Sequence, residues 1–204
     1  MSKDKSLTNQ KIIEVAKREF LELGFEKASM RNIASKVGLT QAALYKHYKN
    51  KEEMFSSLVE PAIESLKELA KDHEKFAYDS LMNGSPRGIV STSNSVTICK
   101  ELLYKYPDEF KLLLCKSGGT RYENFINDVV NQETEGTYKA IEYIAKLHNQ
   151  EVKVSKDEIH ILLSAYLTAI FEPIVHDYPL DKALHVLNVI EKFFIPGWER
   201  IMGI

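Results

Sequence analysis

Apolar residues along this chain recur at intervals of three and four, and no sustained alternation of period two appears. That spacing predicts amphipathic helices rather than strands. Over about residues 9 to 23, Ile12, Ala16, Phe20 and Leu23 fall on one face, with Lys11, Lys17, Arg18 and Glu22 outside. Gly24 is expected to end this helix, because a terminal residue with positive φ costs least as glycine. Asn50 with Glu53, Thr120 with Glu123, and Ser155 with Glu158 each set a short polar residue three places before a carboxylate. Each pair is the pattern of a capping box and predicts a helix start. Met54, Phe55, Leu58, Val59, Ala62, Leu66 and Leu69 continue one stripe across Pro61, so that helix either kinks or restarts there. Pro86, Pro107, Pro173, Pro179 and Pro196 punctuate the remainder, predicting helices near 87 to 105, 108 to 116, 121 to 148, 156 to 175 and 181 to 195.

The segment from Ala28 to Met54 carries a finer pattern. Ser29 is expected to cap a short helix over 30 to 37, Gly38 and Leu39 to form a turn, and Thr40 to cap a second helix over 41 to 48. This is the spacing of a helix-turn-helix. Ala34 is small where the helices cross, Gly38 supplies the φ of a tight turn, and Ile33, Val37, Leu39 and Leu44 make the shared core. With Leu44 inward, Gln41, Ala42, Tyr45 and Lys46 lie on the outer side, where a helix can enter a major groove. Gln pairs with adenine, while Ala and the Tyr ring meet a thymine methyl. Ser29, Thr40, Lys46, His47 and Lys51 stand around them as donors to phosphates, which set register without reading sequence.

Composition supports a polyanion partner for this end of the chain. The net charge of −2 over 204 residues hides a division: residues 1 to 51 hold 11 Lys and Arg against 5 Asp and Glu, and the remainder holds 16 against 24. A basic end on an acidic body favours nucleic acid at that end alone. With 44% apolar and 27% charged residues the chain reads as globular. Cys99 and Cys115 lie among apolar helical positions, as buried thiols of a reducing cytosol do. The lysines near the N-terminus precede no apolar core, so no secretory signal is expected, and no uninterrupted apolar run predicts a membrane span. An enzyme is not indicated. His73, His148, His160, His176 and His185 lack metal-binding spacing, Glu172 with His176 reads as a surface pair, and no Gly-rich phosphate loop occurs. Neither a cofactor nor a metal is expected.

The run SMRNIASKVGLTQAALYKHYKNKEEMF over residues 29 to 55, with KIIEVAKREFLELGF before it, resembles the DNA-binding domain of TetR-family transcriptional regulators. The resemblance covers about the first 55 residues, and LYKHYKNKEEMF is its most specific part. It implies an all-α protein of nine or ten helices: a three-helix helix-turn-helix domain over 1 to 52, and a helical ligand-binding and dimerisation domain over 53 to 204. By position, Arg31, Gln41, Ala42, Ala43 and Tyr45 would face bases, and Ser29, Thr40, Lys46, His47 and Lys51 phosphates. Lys46 stands where an aromatic is common, and Ala42 with Ala43 offers little hydrogen bonding, which leaves base readout to Gln41, Arg31 and Tyr45. The implied function is a cytoplasmic homodimer that binds a palindromic double-stranded DNA operator, most often as a repressor released by a small apolar or aromatic effector. Its alternative is a DNA-bound adaptor or activator whose body holds a protein partner. The wide apolar arcs near 156 to 175 and 181 to 195 fit a two-fold four-helix bundle. An effector pocket is expected among Phe76, Tyr78, Thr97, Tyr104, Phe110, Leu114, Tyr122 and Phe125, where aromatic and polar residues mingle.

Overall fold

The computed structural model describes residues 2–83 and 95–204, and every regular element among them is helical. Helix α1 (Ser2–Lys27) is interrupted at Gly24, whose φ of 76° and ψ of 166° break the helical path where the sequence placed its end. Helices α2 (Met30–Val37) and α3 (Gln41–Leu44) follow, then α4 (Lys51–Met82). Pro61 neither stops nor restarts α4: its neighbours Leu58, Val59 and Ala62 are buried, and that packing outweighs the one backbone donor a proline lacks. Helix α5 is a turn, Ser95–Thr97, running into a π-helical stretch, Ile98–Leu103. The helix expected near 87 to 105 is therefore present in its second half, and its first half and Pro86 lie outside the described residues. Then come α6 (Pro107–Cys115), α7 (Phe125–Leu147), α8 (Lys156–Val175) and α9 (Leu180–Met202). α9 runs through Pro196 because Trp198, beyond it, is buried in the core.

The chain forms two compact units, Met1–Glu64 with Tyr106–Glu123, and Ser65–Lys105 with Asn124–Ile204. The boundary expected at 52/53 thus moves into α4, and α6 joins the first unit. Physical ties explain this. Lys17 of α1 pairs with Glu109 of α6, the Phe25 amide donates to the Lys116 carbonyl at 3.0 Å, and Phe110 and Leu113 are buried. Phe20 meets Phe55 edge-on at 5.2 Å, and Phe25 meets Phe55 at 5.5 Å. Arg121 closes the unit against Glu60 at 2.6 Å.

In the second unit Val130, Ile141, Ile159, Leu163 and Trp198 make a buried cluster shared by α7, α8 and α9. α8 is long and apolar enough to cross a bilayer by length and composition, and Ile159, Leu163, Tyr166, Ile170, Phe171 and Ile174 are buried within this unit. Both cysteines are free thiols. Cys99 is buried, which pushes its pKa up to about 11, whereas Cys115 is exposed, against the expectation of two buried thiols.

Candidate nucleic-acid interface and ligand cavity

The helix-turn-helix closes on itself through backbone geometry. Gly38 adopts φ 84° and ψ 26°, and the Leu39 amide returns to the Ala34 carbonyl at 2.9 Å, ending α2 in one left-handed residue. Thr40 then caps α3: its hydroxyl oxygen accepts the Ala43 amide at 3.1 Å. α3 is α-helical only over Gln41–Leu44, because the Lys46 and His47 amides reach back three residues, to Ala43 and Leu44, and tighten the remainder into a turn. Ser29 holds the N-cap position of α2 with extended backbone, but its side chain makes no capping bond, unlike the expectation.

Leu44 is fully buried, and this fixes which side of α3 faces outward. Gln41, Ala42, Tyr45, Lys46 and His47 are exposed, Thr40 and Arg31 likewise, while Ala43 and Ser29 are not fully exposed. Tyr48 is buried, which anchors the turn. The side chains of Arg31, Gln41, Lys46 and His47 take no bond from the described residues, so their polar groups point to solvent and to any partner there. Lys49, exposed in the following turn, is a further cation absent from the expected set; its place two residues after His47 was the available signal.

Lys51 differs from its expected role. Its ammonium donates to the carbonyls of Phe25 (2.6 Å), Glu26 (3.1 Å) and Ala28 (3.1 Å), and lies 4.4 Å from the centre of the Phe25 ring. Its three N–H groups are committed to the frayed end of α1, and it leaves the set of candidate phosphate donors. Other basic residues of the N-terminal stretch are also used internally. Lys11 donates to the Val37 carbonyl at 3.0 Å, and Lys36 bonds the buried Glu19 at 2.6 Å, which raises the Lys36 pKa through that hydrogen bond and its charge.

The second unit holds a partly open cavity of about 330 Å³. Leu66, Leu69, Ala70, Asp72, His73 and Phe76 of α4, Thr97, Ile98 and Leu102 of α5, and Val129, Glu133 and Thr137 of α7 line one part. Leu163, Tyr166, Leu167, Ile170 and Phe171 of α8, with Ile195, Trp198 and Met202 of α9, line the rest. The walls are apolar with a few polar groups, the make-up of a small-molecule site. His73 Nε2 and the Tyr166 hydroxyl are buried and find no hydrogen-bond partner among the described residues. Burial lowers the His73 pKa, and burial with the Glu191 charge pushes Tyr166 up to about 12. Burial, with the nearby Glu74, also raises the Glu133 carboxyl.

Of the eight residues expected in this pocket, Phe76 and Thr97 line it. Phe110, Leu114 and Tyr122 belong to the first unit, where Phe110 is core and the Tyr122 hydroxyl bonds Glu60. Tyr104 donates its hydroxyl to the Tyr178 carbonyl, Phe125 stacks edge-on against Phe171 at 6.1 Å, and Tyr78 is exposed. Sequence reasoning missed most of the lining, including His73, Glu133 and Tyr166. The signal in reach was a polar group on an otherwise apolar helical face. Among the described residues no group of three or more metal-ligating side chains gathers.

Residues 12–58 match the family model described as bacterial regulatory proteins, tetR family. The N-terminal domain is of the TetR family. The chain is 36% identical over 75 residues to the HTH-type transcriptional regulator AcrR of Shigella flexneri, covering 36% of this chain and 35% of that protein. It is 34% identical over 67 residues to the HTH-type transcriptional regulator TtgR of Pseudomonas putida, covering 33% and 32%. The chain therefore aligns with about a third of the length of these relatives, which are transcriptional regulators. Over nearly its whole length the fold is that of NalD, the secondary repressor of the MexAB-OprM multidrug efflux pump in Pseudomonas aeruginosa. That match has a TM-score of 0.51 at 18% identity and covers 93% of this chain and 96% of the other. That likeness is one of fold alone, and its coverage takes in the second unit as well as the first.

Proposed function

We propose that this protein is a ligand-responsive transcriptional regulator, acting in the cytoplasm as a homodimer on a palindromic operator. The observation that carries the reading is the outer side of α3: Gln41, Ala42 and Tyr45 are exposed on a capped turn whose Leu44 is wholly buried, inside a domain of the TetR family. Gln41, Arg31 and Tyr45 read base edges, with Ala42 and Ala43 against thymine methyls. Thr40, Lys46, His47 and Ser29 hold phosphates, joined by Lys49 in the place first given to Lys51. The name of the structural neighbour favours repression as the sign of control.

The cavity favours a small molecule over a protein as the signal. α4 is one continuous helix whose later residues, Leu66 to Phe76, line the cavity and whose first turns belong to the DNA-binding unit. A ligand that prefers one arrangement of α4 shifts the population away from the operator-competent state. A coupling of about 1 to 3 kcal/mol changes operator affinity roughly 5- to 150-fold. No chemical step is required.

Footprinting on the DNA beside the protein's own gene tests the reading. Two protected half-sites about 34 to 36 Å apart, or a multiple of that, are expected. Gln41→Ala should weaken that binding by about 1 to 3 kcal/mol while leaving random-sequence binding nearly unchanged. An equal loss on random DNA removes Gln41 from base readout, and no protection at low salt removes the function.

A further inference from the structure

The cavity has a charge character of its own, and the identity of its ligand rests on its being the effector site. Among its described lining residues are two acids, Asp72 and Glu133, and neither a lysine nor an arginine. Glu133 is half-buried on α7 and has no hydrogen bond or ion pair among the described residues, and the charge of another acid, Glu74, acts on it. A carboxylate set in apolar walls without a partner is costly, and the cost is relieved by a cation. Two further groups could accept hydrogen bonds from such a ligand, though they do not by themselves select it. Among the described residues the hydroxyl of Tyr166, which is 7% exposed, and the buried His73 Nε2 have no hydrogen-bond partner. A phenol oxygen and an imidazole nitrogen both accept hydrogen bonds, and an ammonium has donors only. The rings of Phe76, Phe171 and Trp198 supply faces that attract a cation and cover its apolar body. An anionic effector would meet two acids and no counter-charge.

We propose that the effector is a lipophilic organic monocation, an ammonium on a compact apolar body, whose charge pairs with Glu133. At about 330 Å³ the cavity is near the lower end for small-molecule sites, so the body is one ring with a short chain or similar.

Three probes with one skeleton and different head groups test this: phenylhexylamine, phenylhexanol and phenylhexanoate, at neutral pH. Trp198 lines the cavity and is the only tryptophan of the chain, so its fluorescence reports occupancy directly. The amine should bind about tenfold or more tighter than the alcohol, the size of one charge-assisted contact, and the carboxylate should bind weakest. Glu133→Gln, which keeps the shape, should bring the amine to within about threefold of the alcohol; Glu151→Gln, at an exposed position, should not. Equal binding of amine and alcohol to the unmodified protein overturns the proposal, and so does an amine preference that survives Glu133→Gln. The first of these comparisons needs no variant. Binding and operator release by the alcohol or the carboxylate alone would overturn the cation while leaving the effector cavity standing. Glu133-dependent binding of the amine with no change in operator affinity would uphold the cation site and remove its regulatory role. Binding by none of the three overturns both.

Discussion

Lys51 shows how a residue type suited to DNA can serve the fold instead. A lysine beside a recognition helix has the chemistry of a phosphate donor, but three carbonyls at the end of α1 take its three N–H groups. Lys51→Met should therefore cost about 2 kcal/mol of stability, read as a lower midpoint in denaturant, because carbonyls bonded by a charge lose their partner. The same variant should leave the salt dependence of DNA binding unchanged, while Lys46→Ala reduces its slope by about 0.9. A flattened slope for Lys51→Met would return it to the phosphates. Tyr166 is the opposite case, a side chain kept at the expense of stability. Its buried hydroxyl has no partner among the described residues, so Tyr166→Phe should stabilise the protein by about 1 kcal/mol and weaken probes held by that hydroxyl. The pH dependence follows from the direction of the shift. With the folded phenol at about 12 and an ordinary value of 10.0, the unfolded chain loses its proton first, and stability falls between those values as pH rises. Tyr104 and Tyr122 are raised as well, so the variant should show a shallower alkaline decline rather than none. An unaltered alkaline limb in a melting series would contradict the burial of Tyr166.

Helix boundaries were legible wherever a local signal and tertiary packing agreed. Ser155 and Glu158 bond reciprocally, and α8 starts and stops where the pattern put it. Thr120 and Glu123 have the same spacing and open no helix. The Thr120 hydroxyl donates to the Ser117 carbonyl at 2.6 Å, Glu123 takes the Gly119 amide, and α7 waits until Phe125. Spacing does not say which acceptor a hydroxyl takes, and here the anchoring of Tyr122 beside Phe55 decides it. The outer side of α3 was readable because one buried leucine orients a single turn. The cavity was not, because an aromatic residue looks the same in sequence whether it fills a core, as Phe110 does, or borders a space, as Phe76 does. Gly38 offers a test of local geometry without packing effects. A Cβ there would meet nothing within 4 Å, so Gly38→Ala should cost only the left-handed backbone term, about 1 to 2 kcal/mol, and Gly38→Asn less. If both variants melted with the parent protein, the turn would be looser than its φ of 84° implies.

The apolar arcs of α8 and α9 are wider than the core of their unit needs. Ile161, Val189 and Phe193 are 66%, 55% and 78% exposed, an arrangement that in a lone subunit would leave large apolar side chains in water. A second copy covering them would account for the surface and, under the proposed function, for a two-fold operator, since an isologous contact places two recognition helices with one two-fold axis. Phe193→Glu should therefore yield a monomer in analytical ultracentrifugation. Operator affinity should drop by about 10²- to 10⁴-fold, the advantage of a second site held in place, while binding to a single half-site persists. The exposed face is also linked to the cavity. Phe193 meets Phe194 edge-on at 5.2 Å, and Phe194 meets the cavity residue Tyr166 at 5.1 Å. A probe that displaces Tyr166 then disturbs the ring stack that ends on the exposed face, giving the ligand a route to subunit geometry within one unit. In the Phe193→Glu monomer the probe should still quench Trp198 but should no longer alter half-site affinity by the route through the dimer. If the monomer bound the full operator as tightly as the parent protein, α8 and α9 would have to be exposed for some other partner, and the two-fold account of DNA binding would fail with them.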